Sequence, residues 1–303
     1  MLELINITKS FDDSLILDDI SFSVSPGQIF GLVGPNGAGK TTTLRIILNI
    51  IRPDSGEVLY NEITRSKLKR SLFGYLPEER GLYQRARVLD LLVYFGVLNR
   101  LSRHRAEVEA IRLLDKFGLV DYTKRRVHEL SKGIQQKIQL VAASLHDPEV
   151  IIMDEPFSGL DPVNQMVLRD TLKQFKEEDK TIILSSHNMP EVEQLSDHIC
   201  LINQGKVIRQ GPLEEIKKEY TDESYYIESA NDLTFLRDIK IIDILEEHNR
   251  SCKFTLAGSV SENNKIIKDI FSNIEIRKFY RMEPTLNDIF IDLVQKEKPK
   301  KKS

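Results

Sequence analysis

The sequence predicts an α/β protein followed by a smaller α+β unit, and three observations carry that reading. Short apolar runs without alternation, at 28–33, 150–153, 181–184 and 199–202, have the form of parallel strands covered on both faces. Between them lie stretches whose apolar residues recur at helical spacing. From residue 222 the order becomes strand, helix, strand, strand, helix, strand, the ferredoxin-like split.

Residues 2–8 alternate as a strand does, and 28–33 form a short apolar strand. A glycine-rich turn follows, then a helix over 40–49. Pro53-Asp54-Ser55-Gly56 is a turn, with strands at 57–60 and 72–76. From about 88 to 145 the pattern is helical: Val88, Leu91, Leu92, Phe95 and Leu98, then Val108, Ile111, Leu114 and Phe117, then Ile138, Val141, Ala142 and Leu145. Strands return at 150–153, 181–184, 199–202 and 206–210. Asp161-Pro162 opens the helix between the first two, with Pro near its first position. A charged helix over 214–221 leads into strand 224–228, helix 233–238, strands 240–245 and 252–256, helix 262–271 and strand 275–280. An amphipathic helix over 286–294 comes last. The expected domains are 1–215, with a helical subdomain at about 83–146, an accessory α+β domain at 222–296, and a fraying basic tail at 297–303.

Composition excludes several classes. The 303 residues carry 43 Lys+Arg and 46 Asp+Glu, a formal charge of −3, so the whole chain has no electrostatic reason to bind nucleic acid. With 41% hydrophobic and 29% charged residues it is globular rather than disordered. No apolar stretch approaches the ~18–20 residues that span a bilayer. Met1-Leu2-Glu3-Leu4 lacks the basic region of a signal peptide. Cys200 and Cys252 sit in separate apolar, strand-like contexts and read as buried free thiols of a reducing cytoplasm.

Gly34-Pro35-Asn36-Gly37-Ala38-Gly39-Lys40-Thr41 fits G-x-x-x-x-G-K-[ST] and lies between a predicted strand and a predicted helix, the context a phosphate loop requires. Its glycines let successive backbone N–H groups face a polyphosphate, and the helix adds the positive end of its dipole. Lys40 would neutralise the β- and γ-phosphates of ATP, and the Thr41 hydroxyl would ligate Mg²⁺, with Thr42 beside it. Residues 150–153 bring Asp154 and Glu155 to a strand's C-terminal end, where open α/β sheets bind ligands. Asp154 is the expected Mg²⁺ holder, and Glu155 the residue that polarises the attacking water.

These residues resemble the nucleotide-binding subunit of ABC transporters over about 1–211, which implies a P-loop ATPase fold with a helical subdomain. Leu130-Ser131-Lys132-Gly133-Ile134-Gln135-Gln136 resembles the LSGGQ signature, Ser131 and Gly133 matching while Lys132 and Ile134 depart. Ser158-Gly159-Leu160-Asp161 matches the D-loop, and His187 after Ser185-Ser186 the switch histidine. Phe11, ahead of Leu17-Asp18-Asp19-Ile20-Ser21-Phe22, matches the adenine-stacking aromatic, although an aromatic near a strand end can also be plain packing. Glu78 stands at the Q-loop position, where most members have Gln; a carboxylate can ligate Mg²⁺ as an amide oxygen can. The resemblance implies a dimer, with a second copy or a homologous subunit, in which Ser131 and Gly133 of one chain cap ATP on the other.

Three strings narrow the resemblance to NatA-like sodium-export ATPases: 76–83, 130–137 and 154–164. So does the ending Glu283-Pro284-Thr285-Leu286-Asn287-Asp288-Ile289-Phe290. That group works with ABC-2-type permeases, which implies export and a place on the inner face of the cell membrane through a separate permease. Residues 80–95, with Leu82, Tyr83 and Val88 beside Arg85 and Arg87, suit a groove for a permease helix. A soluble mechanical ATPase and an ATP-gated regulator remain alternatives. The accessory domain reads as a packing or dimerisation module, or as a ligand sensor.

Overall fold

The structure, a computed structural model, describes residues 1–79, 81–220 and 224–297. Arg80, the expected domain junction at 221–223 and the basic tail from Lys298 lie outside the described residues. Two compact units result, one of residues 1–213 with the chain from 293, the other of residues 214–292.

The first unit runs β1 (Leu2–Phe11), β2 (Ser14–Val24), β3 (Ile29–Val33), α1 (Lys40–Ile47), β4 (Ser55–Tyr60), β5 (Ile63–Thr64), β6 (Phe73–Leu76), α2 (Val88–Leu98), α3 (Arg103–Lys116), α4 (Lys132–Ser144), β7 (Val150–Asp154), α5 (Pro162–Glu177), β8 (Thr181–Ser186), α6 (Met189–Glu193), β9 (His198–Asn203) and β10 (Lys206–Pro212). Its central sheet has the order β10-β9-β3-β8-β7-β6 and is parallel except for β10. Every residue of β3, β7 and β8 is buried, as their unbroken apolar runs require. Because these three strands are adjacent and parallel, the loops leaving their C-terminal ends converge.

A second sheet, β2-β1-β4-β5, is antiparallel throughout. Its strand β2 was not expected from the sequence, for a physical reason. The buried residues Leu17 and Ile20 are three apart instead of two, the register with β1 shifts between them, and Asp19 has φ +58°. A bulge there hides the alternation.

Helices α2, α3 and α4 share a core that includes Leu91, Leu92, Leu114, Ile138 and Val141. Leu82 and Val88, expected on the surface, belong to this core and are buried; of that trio Tyr83 alone is exposed, at 59%. On α3 the buried positions are Ala106, Ala110, Leu113 and Leu114, while Val108 and Ile111 face outward.

The second unit begins within α7 (Leu213–Glu219) and holds β11 (Ser224–Ser229), β12 (Ile242–His248), β13 (Ser251–Leu256), α8 (Val260–Asn273) and β14 (Ile276–Arg281), and α9 (Leu286–Glu297) follows. Strand order β12-β13-β11-β14, all antiparallel, is the ferredoxin-like arrangement. The expected first helix is a five-residue 3₁₀ turn, Thr234–Asp238, and α8 packs on Ile227, Cys252, Phe254 and Leu256. Both cysteines are free and buried, and burial pushes their thiols up, that of Cys252 to about 11.

Candidate functional site

The site starts where β3 hands over to α1. A Cβ at Gly34 would lie 2.1 Å from the Ile202 carbonyl oxygen, so only glycine lets the loop turn this close to β9. Gly39, the residue before α1, has φ +103°, and a Cβ there would meet Leu17 Cδ2 at 2.5 Å. Within this cradle the Lys40 side chain is 6% exposed, and its Nζ donates to the carbonyls of Gly34 at 2.8 Å and Pro35 at 3.2 Å. Nζ also lies 3.4 Å from Glu155 Oε1.

At the end of β7, Asp154 is buried and accepts a hydrogen bond from the Ser185 hydroxyl at 2.5 Å. The next residue, Glu155, has φ +48°, the left-handed region that few residues with a Cβ adopt. Its backbone N–H donates to the Ser185 carbonyl and hydroxyl, at 3.2 and 3.1 Å, which fixes that turn. The side chain is thereby swung toward the strand β8, where Oε2 meets His187 Nδ1 at 2.9 Å and accepts from the Ser186 hydroxyl and the His187 N–H at 3.4 Å. Glu155 is 8% exposed while His187 is half exposed, so the histidine covers the carboxylate from the solvent side. A buried carboxylate held between an ammonium and an imidazole is equipped to take a proton from a water and pass it on.

The structure therefore brings together Lys40, Asp154, Glu155 and His187, from three adjacent strand ends. Thr41 and Thr42 are half-buried in the first turn of α1. Phe11 is 44% exposed at the end of β1, with Lys9 Nζ over its ring at 5.3 Å from the centre. Glu78 is exposed just past the end of β6.

Ser131 and Gly133 form a second cluster. The Ser131 hydroxyl caps α4 by accepting from the Ile134 N–H at 3.4 Å. A Cβ at Gly133 would meet Asn164 Nδ2 at 2.5 Å. That same Nδ2 donates to Asp161 Oδ2 at 2.6 Å, and the Asn164 N–H donates to Oδ1 at 3.0 Å, which caps α5 and holds the Asp161 carboxyl below the usual carboxylate range. Among the described residues no hydrogen bond or ion pair joins Ser131 or Gly133 to residues 34–42.

Four participants were not singled out from the sequence. Ser185 orients both acids. Gln136 Nε2 donates to the Pro156 carbonyl at 3.0 Å and ties α4 to the turn after Glu155. Asn164 lies between Gly133 and Asp161 as described. Glu191 on α6 is 8% exposed and lies 3.4 Å from Gln165 Nε2; burial, with the charge of Glu155, pushes its carboxyl above the usual range. Gln136 and Asn164 close the strings 130–136 and 154–164, the one signal that could have marked them.

Comparison with known proteins places this geometry. Residues 17–158 match the family model described as ABC transporter, and residues 211–294 match one described as ATP-binding protein DrrA1-3-like, C-terminal domain. The chain is 40% identical over 298 residues to the uncharacterized ABC transporter ATP-binding protein YhaQ of Bacillus subtilis, covering 97% of this chain and 98% of that one. It is 35% identical over 250 residues to the ABC transporter ATP-binding protein NatA of Bacillus subtilis, covering 80% of this chain and 98% of NatA. A solved structure described as the ATP binding subunit of an ABC transporter superposes with a TM-score of 0.66 at 30% identity, over 73% of this chain and 93% of that one.

Proposed function

The chain belongs to the ATP-binding subunits of ABC transporters, a family of ATPases, and from that premise we propose that it is the motor of an exporter. In this reading it dimerises around two ATP molecules, with itself or a homologue, and drives a separate ABC-2-type permease from the inner face of the cell membrane. The observation that carries it is the Lys40–Glu155–His187 contact chain at three adjacent strand ends. Export is supported by the likeness to the Nod factor export ATP-binding protein I of Bradyrhizobium diazoefficiens, 31% identical over 302 residues, and the cargo class we propose is sodium, another ion or a drug.

The proposed roles follow from the chemistry of each group. Residues 34–42 hold the phosphates through backbone N–H groups and Lys40, whose Nζ exchanges the Gly34 and Pro35 carbonyls for phosphate oxygens. Phe11 stacks on the adenine. Thr41, Asp154 and Glu78 would hold Mg²⁺; a hydroxyl and one or two carboxylates completed by phosphates is the hard-oxygen set that ion takes, and it supplies charge neutralisation. Glu155 accepts the proton of the attacking water, and His187 holds Glu155 in place and offers a donor toward the γ-phosphate. Ser131 and Gly133, at the N-terminus of α4, cap the ATP bound to the facing subunit, and Asp161 lies at that same boundary.

No described helix is long and apolar enough to cross a membrane. A docking surface is supported by Tyr83, Tyr94, Val97 and Leu98, between 46% and 59% exposed and clustered at one end of α2. Reconstitution tests the proposal. The tagged chain, purified from mild detergent, should bring with it a polytopic membrane protein that raises its ATPase rate in proteoliposomes. An ATPase that works alone and is indifferent to every such partner would overturn the transport reading.

A further inference from the structure

In the second unit, the loop after β11 and the turn from β12 to β13 enclose a polar cavity of about 470 Å³. That volume is in the range of small-molecule sites. Hydrogen bonds within the chain pin both walls. The Ser229 N–H donates to the Arg250 carbonyl at 3.0 Å, and the Ser229 hydroxyl to the Glu275 carbonyl at 2.8 Å. Asn231 closes the loop: its N–H donates to the Ser229 hydroxyl at 3.0 Å, and its Oδ1 accepts from the Glu275 N–H at 2.9 Å. Walls fixed in this way lose little freedom when a ligand enters.

Four charged side chains line the cavity, with His248, Asn249 and Thr234 as further hydrogen-bonding groups. Two of the four satisfy each other: Arg237 donates through Nε and Nη2 to Glu247 Oε2, at 2.8 and 2.7 Å. Asp232 and Arg250 remain, one on each wall. Among the described residues neither makes an ion pair, and the Arg250 guanidinium makes no hydrogen bond. Asp232 Oδ1 accepts from the Thr234 N–H at 2.9 Å, which holds its carboxyl below the usual carboxylate range. A carboxylate takes about four hydrogen bonds, so Asp232 has acceptor sites left. A multiply charged anion placed here would meet two carboxylates, and a simple amine would meet two guanidinium groups. A small molecule with one charge of each sign finds a partner for both. We propose that this cavity binds a free α-amino acid, its carboxylate on the Arg250 guanidinium and its ammonium on Asp232. The guanidinium fork matches a carboxylate in two parallel hydrogen bonds. The site is built from the second unit alone, does not depend on the export reading, and gives the accessory unit a ligand.

The test is calorimetric titration of the full chain with each of the twenty standard amino acids. At least one should bind with a Kd of about 1 mM or tighter. Its N-acetyl form lacks the ammonium and its amide lacks the carboxylate, so each should bind about tenfold more weakly or worse. Arg250→Gln and Asp232→Asn should each weaken the amino acid about tenfold or more, while Asp232→Asn should leave the N-acetyl form unaffected. Both residues are exposed, and Asn keeps an oxygen for the Thr234 N–H, so both variants should melt as the parent does, which a thermal scan checks. If a variant melts early, the two modified ligands still read the same charges on the parent chain. Absence of binding by all twenty, equal binding of the N-acetyl form or of inorganic phosphate, or an affinity that ignores both substitutions would overturn the inference. Each of those results leaves the ATPase and export readings as they stand.

Discussion

Lys40 is the residue proposed to bear most directly on nucleotide affinity. Its ammonium already sits among carbonyl oxygens within the loop, so phosphate oxygens replace one set of acceptors with a charged one. Charge-assisted hydrogen bonds of this kind contribute about 1.5–3 kcal/mol. Lys40→Ala should weaken ATP binding roughly 10- to 100-fold by titration with a fluorescent analogue. An unchanged affinity would show that the ammonium serves only the loop. Glu78 gives a sharper discrimination. If it ligates Mg²⁺, Glu78→Gln keeps an oxygen ligand and should be mild, while Glu78→Ala should lower the ATPase rate about tenfold or more. Equal effects of the two substitutions would reduce Glu78 to a loop acid. Lys40, Asp154, Glu155 and His187 were legible in the sequence because each is local to a motif or a strand end. Ser185 and Glu191 were not, because what makes them matter is a partner about thirty residues away, reached only when β7 and β8 lie side by side and α6 packs behind.

At the level of elements, the starts of α4 and α5 form one joint. Asp161 caps α5, Asn164 reaches back to it, and Gly133 leaves no room beside the Asn164 amide. Asp161→Ala removes the cap and should cost about 1 kcal/mol of stability, a fall of about 2–4 °C in melting temperature. Gly133→Ala should move Asn164 and separate the two helix starts, lowering turnover while nucleotide affinity stays near the parent value. A Gly133→Ala chain with parental turnover would mean that the joint is packing alone. The thiols report on the strands themselves. Burial raises both, so below about pH 11 Cys252 stays protonated, and neither thiol should react with a disulfide reagent at pH 8 until the chain is unfolded. Fast reaction of either in the native protein would contradict the packing of β9 or β13. The buried parallel strands were readable because their apolar runs are unbroken. Strand β2 was not, since a bulge at Asp19 breaks its period, and the 3₁₀ turn at 234–238 passed for a helix because five residues cannot reveal which spacing they follow.

For the whole molecule, every residue proposed for the ATP site lies before Gly205, and the accessory unit offers no phosphate loop. A chain ending after Tyr220 should therefore keep its nucleotide affinity and lose closure of the dimer or its regulation. Loss of affinity would show that the C-terminal region helps to build the site. The family was legible from short motifs. In the proposed cycle ATP closes two chains around Glu155, and hydrolysis releases them. Glu155→Gln, sized by light scattering with ATP and Mg²⁺, tests it most directly: the variant should form a dimer with ATP but not with ADP, and its turnover should fall about 100-fold or more. A variant that stays monomeric with ATP, or that hydrolyses it near the parental rate, would contradict the account.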